Sequence, residues 1–257
     1  MTAPGPLLDF FKRAGVARDV RLLAAQGALA PRALEQLSIL VLLVDDADPQ
    51  IRAAANDTLN RIPEAALAAF LAHPDVDESL REFFARRGIG PADKPASDID
   101  DPLIETDGGE STAADKDEHP QTAAQRLARM GVSERLKAAV KGSREMRAIL
   151  IRDPNRMIAA AVLSSPKVTK QEIEGYARMA NVSDEVLRVI GGNRAWTKNY
   201  GIVVSLTRNP KTPIAMSLNL MARLNDRDLQ ALSIDRNVPE PLRVAARRKV
   251  LAGVSKK

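Results

Sequence analysis

At 257 residues without a cysteine, the chain can bury a real core, while disulfides, thiolate metal sites and cysteine nucleophiles are excluded. Only eight residues are aromatic, so Ala and Leu carry much of the apolar content, which suits helices packed closely through small side chains. The net charge of +5 hides a division: residues 1–92 carry −2, residues 93–121 carry −8 and residues 122–257 carry +15, an asymmetry that bears on partners rather than on fold.

Taken in order, Met1 to Gly15 lacks a basic region followed by a long apolar stretch, so no secretory signal is expected. Leu7, Leu8, Phe10 and Phe11 open the first helical segment, and Gly15 and Gly27 punctuate it. Pro31 suits the first turn of a helix carrying Leu34, Leu37, Leu40, Val41 and Val44, which Asp45-Asp46 stop. The longest apolar run, Ile39 to Val44, is far short of the ~20 residues a membrane span needs, so a soluble, cytoplasmic protein with no membrane partner is expected. Asp48 caps a helix whose first residue is Pro49, with Ile51, Ala54, Ala55 and Leu59 on one apolar face.

Residues 91–121 differ in kind. Prolines, glycines and acids surround few apolar residues, and such a stretch buries too little to offset ordering entropy; it reads as an acidic flexible linker. Helices resume at the capping box Thr122-x-x-Gln125, with Gly131 as its end. Ser133 and Ser143 are the next expected caps, Asp153-Pro154 starts another helix, and Thr169-x-x-Glu172 is a second capping box. Ser183 begins a helix that Gly191-Gly192 stop. Further helices are predicted over 197–206, 212–224, 226–232 and 239–252, and no strand alternation is present.

Within this half, Ile158, Val162, Pro166, Lys167, Asn181 and Asn193 meet Ile202, Leu206, Pro210, Lys211, Asn225 and Asn237 at a spacing of 44. A period of that size, built from short helices, is how stacked helical repeats look in sequence. The word Asp48-x-x-Ile51-Arg52-x-x-Ala55 resembles the HEAT-type repeat; a looser copy runs from Asp77 through Leu80 and Arg81 to Phe84. Another, Leu242-Arg243 with Ala246, has Pro239 in place of the Asp. The resemblance implies an α-solenoid in which Asp and Arg of neighbouring repeats bridge one another, making Arg52, Arg81 and Arg243 structural. Ile151 to Asn155 and Asn209 to Pro213 also resemble stretches of bacterial helical-repeat chains, a likeness that brings no activity with it.

Residues able to carry chemistry are sparse. His73 and His119 have no partner at ligand spacing, so neither a metal nor another cofactor is expected. No nucleophile–base pattern and no phosphate loop are recognisable; Asp45-Asp46 read as a turn, and Gly191-Gly192-Asn193 lacks the surrounding glycines and Lys. In Arg194-Ala195-Trp196-Thr197-Lys198-Asn199-Tyr200, Trp196 and Tyr200 are four apart beside Arg194 and Lys198, a pattern that can stack bases and hold phosphates. The favoured reading is that Trp196 anchors the core between repeats and Tyr200 packs under it. Arg243 and Arg247 share a face of the last helix, next to Arg248 and Lys249. With Arg208 and Lys211 beside Asn209-Pro210, the candidate binding residues are Arg194, Trp196, Lys198, Tyr200, Arg208, Lys211, Arg243 and Arg247, and none is catalytic.

The expectation is thus an all-α protein: HEAT-like helical-repeat segments at 1–90 and 122–257, joined by the acidic linker 91–121. Stacked repeats most often hold a partner, so a non-enzymatic interaction or scaffold module binding a protein or peptide is expected. The alternative is nucleic-acid binding by the basic half, residues 122–257.

Overall fold

The computed structural model describes residues 5–13, 15–29, 32–96, 103 and 122–254. Pro31, His119, Lys256, Lys257 and most of the acidic stretch 91–121 lie outside the described residues. Among those described the chain is all-α, with seventeen helices and no strand, and none of the helices is long and apolar enough to cross a membrane.

The chain divides into two compact units: Met1–Leu150 with Ser164–Lys167, and Ile151–Leu163 with Val168–Lys257. Residues 122–150, read from sequence with the C-terminal segment, group instead with the N-terminal helices.

The first unit holds α1 (Pro6–Lys12), α2 (Arg18–Ala25), α3 (Ala33–Leu43), α4 (Pro49–Asn60), α5 (Glu64–Leu71), α6 (Glu78–Ala85), α7 (Ala123–Arg129), α8 (Val132–Lys141) and α9 (Arg144–Leu150). α3 touches α1, α2, α4 and α6, and its Ala33, Leu37, Ile39, Leu40 and Leu43 are all buried. A helix apolar on nearly every side has to be surrounded in this way. Its Glu35 is buried too: one carboxylate oxygen accepts the N–H groups of Leu7 (2.7 Å) and Leu8 (3.3 Å) and the Ser164 hydroxyl (3.5 Å). The other has no hydrogen-bond partner.

Asp48 caps α4 by accepting the Gln50 N–H at 2.8 Å. Two of the three arginines of the HEAT-like words, Arg52 and Arg81, are structural, but through different partners than the resemblance implies. Arg52 donates to the carbonyls of Asp46 (2.6 Å) and Ala47 (3.0 Å), and Arg81 to those of Leu71 (3.0 Å) and His73 (2.8 Å). Carbonyls at and beyond a helix C-terminus lack intrahelical donors and lie at the negative end of the helix dipole, so a guanidinium is well placed there. Ser133 does not cap α8. The helix starts two residues earlier than that cap would set, at Val132 after Gly131; Glu134 accepts the Gly131 N–H at 2.9 Å, and the Ser133 hydroxyl donates to Asp19 at 2.6 Å.

The second unit holds α10 (Arg156–Ser164, its last residue counted with the first unit), α11 (Lys170–Arg178), α12 (Asp184–Gly192), α13 (Arg194–Thr197), α14 (Tyr200–Arg208), α15 (Ile214–Met221), α16 (Asp226–Ile234) and α17 (Glu240–Val254). The period of 44 is visible locally. α10 and α14 begin and end 44 residues apart, and Ile158 and Ile202, like Val162 and Leu206, are fully buried. Asn155 and Asn199 start the two helices alike, accepting the N–H groups of Met157 (3.0 Å) and Gly201 (2.8 Å). α11 packs on α14 as α15, one period later, packs on α17. Such contacts between neighbouring helices are compatible with a helical repeat.

Two local expectations change. Residues 197–206 are not one helix: α13 ends at Thr197, and Asn199 caps a separate α14. Gly191 and Gly192 do not stop α12 but form its last turn; a Cβ on Gly191 would stand 2.2 Å from Met216 Sδ, so the glycine admits close packing.

Candidate functional site

One turn design recurs in both units. Asp46, Asp153, Asn209 and Asp235 each accept the backbone N–H two residues on, at 2.9, 2.8, 3.0 and 2.9 Å. These Asx turns end one helix and aim the chain into the next. Asn209 does more. It is 3% exposed, and its amide nitrogen donates to the carbonyls of Ala177 (2.8 Å) and Met179 (2.9 Å) at the end of α11. That side chain ties α14 to α11, and only an amide can do so, because the turn needs an acceptor and the carbonyls need donors.

Beside this tie lies an open groove of about 830 Å³, built wholly from the second unit. α14 buries Ile202, Val203 and Leu206 and turns Tyr200, Gly201, Val204 and Arg208 to the groove. α11 contributes Glu174 and Arg178, α16 contributes Asp228, and the following turn adds Asp235 and Asn237. The missing side chain of Gly201 matters: a Cβ there would come within 2.7 Å of a Glu174 carboxylate oxygen.

The groove's charges are largely answered in place. Arg178 pairs with Glu174 at 2.8 Å, one turn apart on α11. Arg208 donates to one oxygen of Asp228 at 3.0 Å and the Tyr200 hydroxyl donates to the other at 2.6 Å. The Tyr200 oxygen also accepts the Asn225 N–H at 3.1 Å. Desolvation raises the Tyr200 phenol above its ordinary value, with Asp228 adding to the rise and Asn225 opposing it.

Of the sequence candidates, the fold brings Tyr200 and Arg208 together through Asp228. Trp196 is only partly buried and sits on α13, so it shares no helix face with Tyr200 and does not belong to the aliphatic core. Arg194 and Lys198 are exposed on and just after α13. The Lys211 ammonium donates to the Val182 carbonyl at 3.2 Å, and Arg247 donates to that of Ser233 at 3.0 Å. Arg243 lies half-buried on α17. Glu174, Asp228, Asn209 and Asp235 were not candidates. Tyr200 and Asp228 are 28 residues apart, and no local pattern pairs them. Asn209, by contrast, left a signal in the Asn-Pro word.

Among the described residues no group of three or more His, Asp or Glu side chains could hold a metal ion. Compared with protein-family models, curated proteins and solved structures, the chain matches none, so its own geometry carries the functional reading.

Proposed function

We propose that the protein is a non-enzymatic interaction module whose helices stack as a HEAT-like α-solenoid and hold a peptide or protein partner in the groove lined by α11, α14 and α16. The observation supporting this reading is the groove's make-up. Gly201 and Val204 form an open, uncharged stretch, and around it Arg178 and Arg208 are matched by Glu174 and Asp228. A surface with apolar area at its centre and balanced polar groups at its edge suits a polypeptide.

The same observation weighs against the nucleic-acid alternative. A phosphate backbone needs cations that converge and are free to replace its counterions. In the groove three carboxylates face two guanidinium groups. Elsewhere in the unit Lys211, Arg223, Arg247 and Lys249 donate to backbone carbonyls.

The test is selection of peptides from a displayed random library on the immobilised full chain, repeated with Val204→Arg, which places a bulky cation in the groove. Peptides that bind the native chain and lose binding to the variant support the reading. Binders indifferent to Val204→Arg, or a gel shift of duplex DNA by the native chain that falls steeply with salt while no peptide is selected, overturn it.

A further inference from the structure

Resting on that reading, we propose that the groove's partner is an extended peptide bearing a lysine or arginine next to an aliphatic residue, with the cation seated on Asp235. The groove carries three carboxylates. Asp228 has both oxygens engaged, one by Arg208 and one by the Tyr200 hydroxyl. Glu174 is answered by Arg178. Asp235 differs: one oxygen closes its turn by accepting the Asn237 N–H at 2.9 Å, and among the described residues no cation pairs with it. Both arginines of the groove are thus matched, and the single uncompensated charge is negative.

Asp235 directly follows α16, and the one cation bonded at that helix end among the described residues, Arg247, takes the Ser233 carbonyl and not this carboxylate. The residue before it, Ile234, is 72% exposed, an aliphatic surface adjoining a free carboxylate. A lysine or arginine answers both: its methylene stem covers apolar surface while its head reaches the carboxylate. An aliphatic neighbour in the peptide would lie over Val204 and Gly201, which present no charge. An acidic peptide would instead set like charge against Asp235, an arrangement that excludes partners more strongly than any rim pair attracts them.

Asp235→Asn is a clean probe, because an asparagine oxygen already closes the equivalent turn at Asn209, so the turn is kept and only the charge is lost. The experiment selects nonapeptides from a random displayed library on the immobilised full chain. The best of them, synthesised with a fluorescent label, is then titrated against the native chain, Asp235→Asn and Val204→Arg. The expected result is enrichment of Lys or Arg beside Leu, Ile or Val. Affinity should fall about fivefold or more in Asp235→Asn, and replacing the peptide's basic residue by norleucine should cause a loss that does not add to it. Val204-dependent peptides that lack a basic residue, or that bind Asp235→Asn unchanged, overturn this inference and leave the groove reading standing. Absence of any Val204-dependent peptide overturns both.

Discussion

Tyr200 and Asp228 meet at 2.6 Å across 28 residues of chain, and the hydroxyl that donates to the carboxylate also accepts the Asn225 N–H. One phenol therefore joins the start of α14 to the first turn of α16, and an aromatic that reads in sequence as a packing or stacking group works as a strut. With 41% of the residue exposed, the link is modest. Tyr200→Phe is expected to lower stability by about 1 kcal/mol, read as a shift of the urea midpoint with an unchanged slope. In Asp228→Asn the loss from Tyr200→Phe should shrink, since the two changes share one bond.

Asn209 makes a stronger claim. Asn209→Ala removes the donors of two carbonyls and the acceptor of a turn, and should cost about 2 kcal/mol or more. Asn209→Asp keeps the acceptor but sets a carboxylate against the carbonyls of Ala177 and Met179, and should cost more than the alanine. Equilibrium unfolding of the two variants ranks them. A large loss in Asn209→Ala beside little loss in Asn209→Asp would mean that the turn, not the bridge to α11, matters.

Glu35 ties stability to pH. Burial raises its carboxyl above the ordinary 4.5, while hydrogen bonds from Leu7, Ser164 and Leu8 and the charge of Arg32 pull the other way. The folded state therefore holds the proton more tightly than the unfolded chain. Its contribution is complete below 4.5 and is lost as pH rises through the elevated folded value. Glu35→Gln, which retains an acceptor for the α1 N–H groups, should flatten stability over that window. Asp19 and Asp48 behave oppositely. Their carboxyls are lowered, Asp19 first by the Ser133 hydroxyl and Asp48 first by the Gln50 N–H, so stability present above 3.8 is lost as pH falls through their folded values. An acid limb should survive in Glu35→Gln, and urea titrations at a series of pH values check both slopes.

Ile158 and Ile202 stand 44 residues apart and are both completely buried. Their truncation to alanine should cost about 2–5 kcal/mol each, from lost transfer energy and the cavity left behind. Thermal and urea unfolding measure this, and a cost confined to one of them would show that the two sites are not equivalent.

Helix type and most starts were legible because capping is local: Asp48, Thr122, Thr169 and Ser183 each bond within three residues of themselves. The period of 44 was legible for the same reason. The break at Lys198-Asn199 was missed because no proline or glycine stands at it, and the decisive bond, from the Gly201 N–H to Asn199, involves a single side chain. Ser133 misled because a hydroxyl before an apolar run reads as a cap when its partner, Asp19, is 114 residues away. The groove was half legible: Tyr200 and Arg208 stood out as an aromatic and a cation, but their meeting on Asp228 is a product of packing. The cations pointed to phosphate in sequence, and carbonyls at helix ends are where several of them are used.

Gly201 leaves the Glu174 carboxylate lying where a methyl group would otherwise stand. Any larger residue would swing that carboxylate aside and disturb its grip on Arg178. A lone hydrogen atom thus keeps the seat of the carboxylate open, and a variant one carbon heavier acts on the cleft's charges without adding any charge of its own.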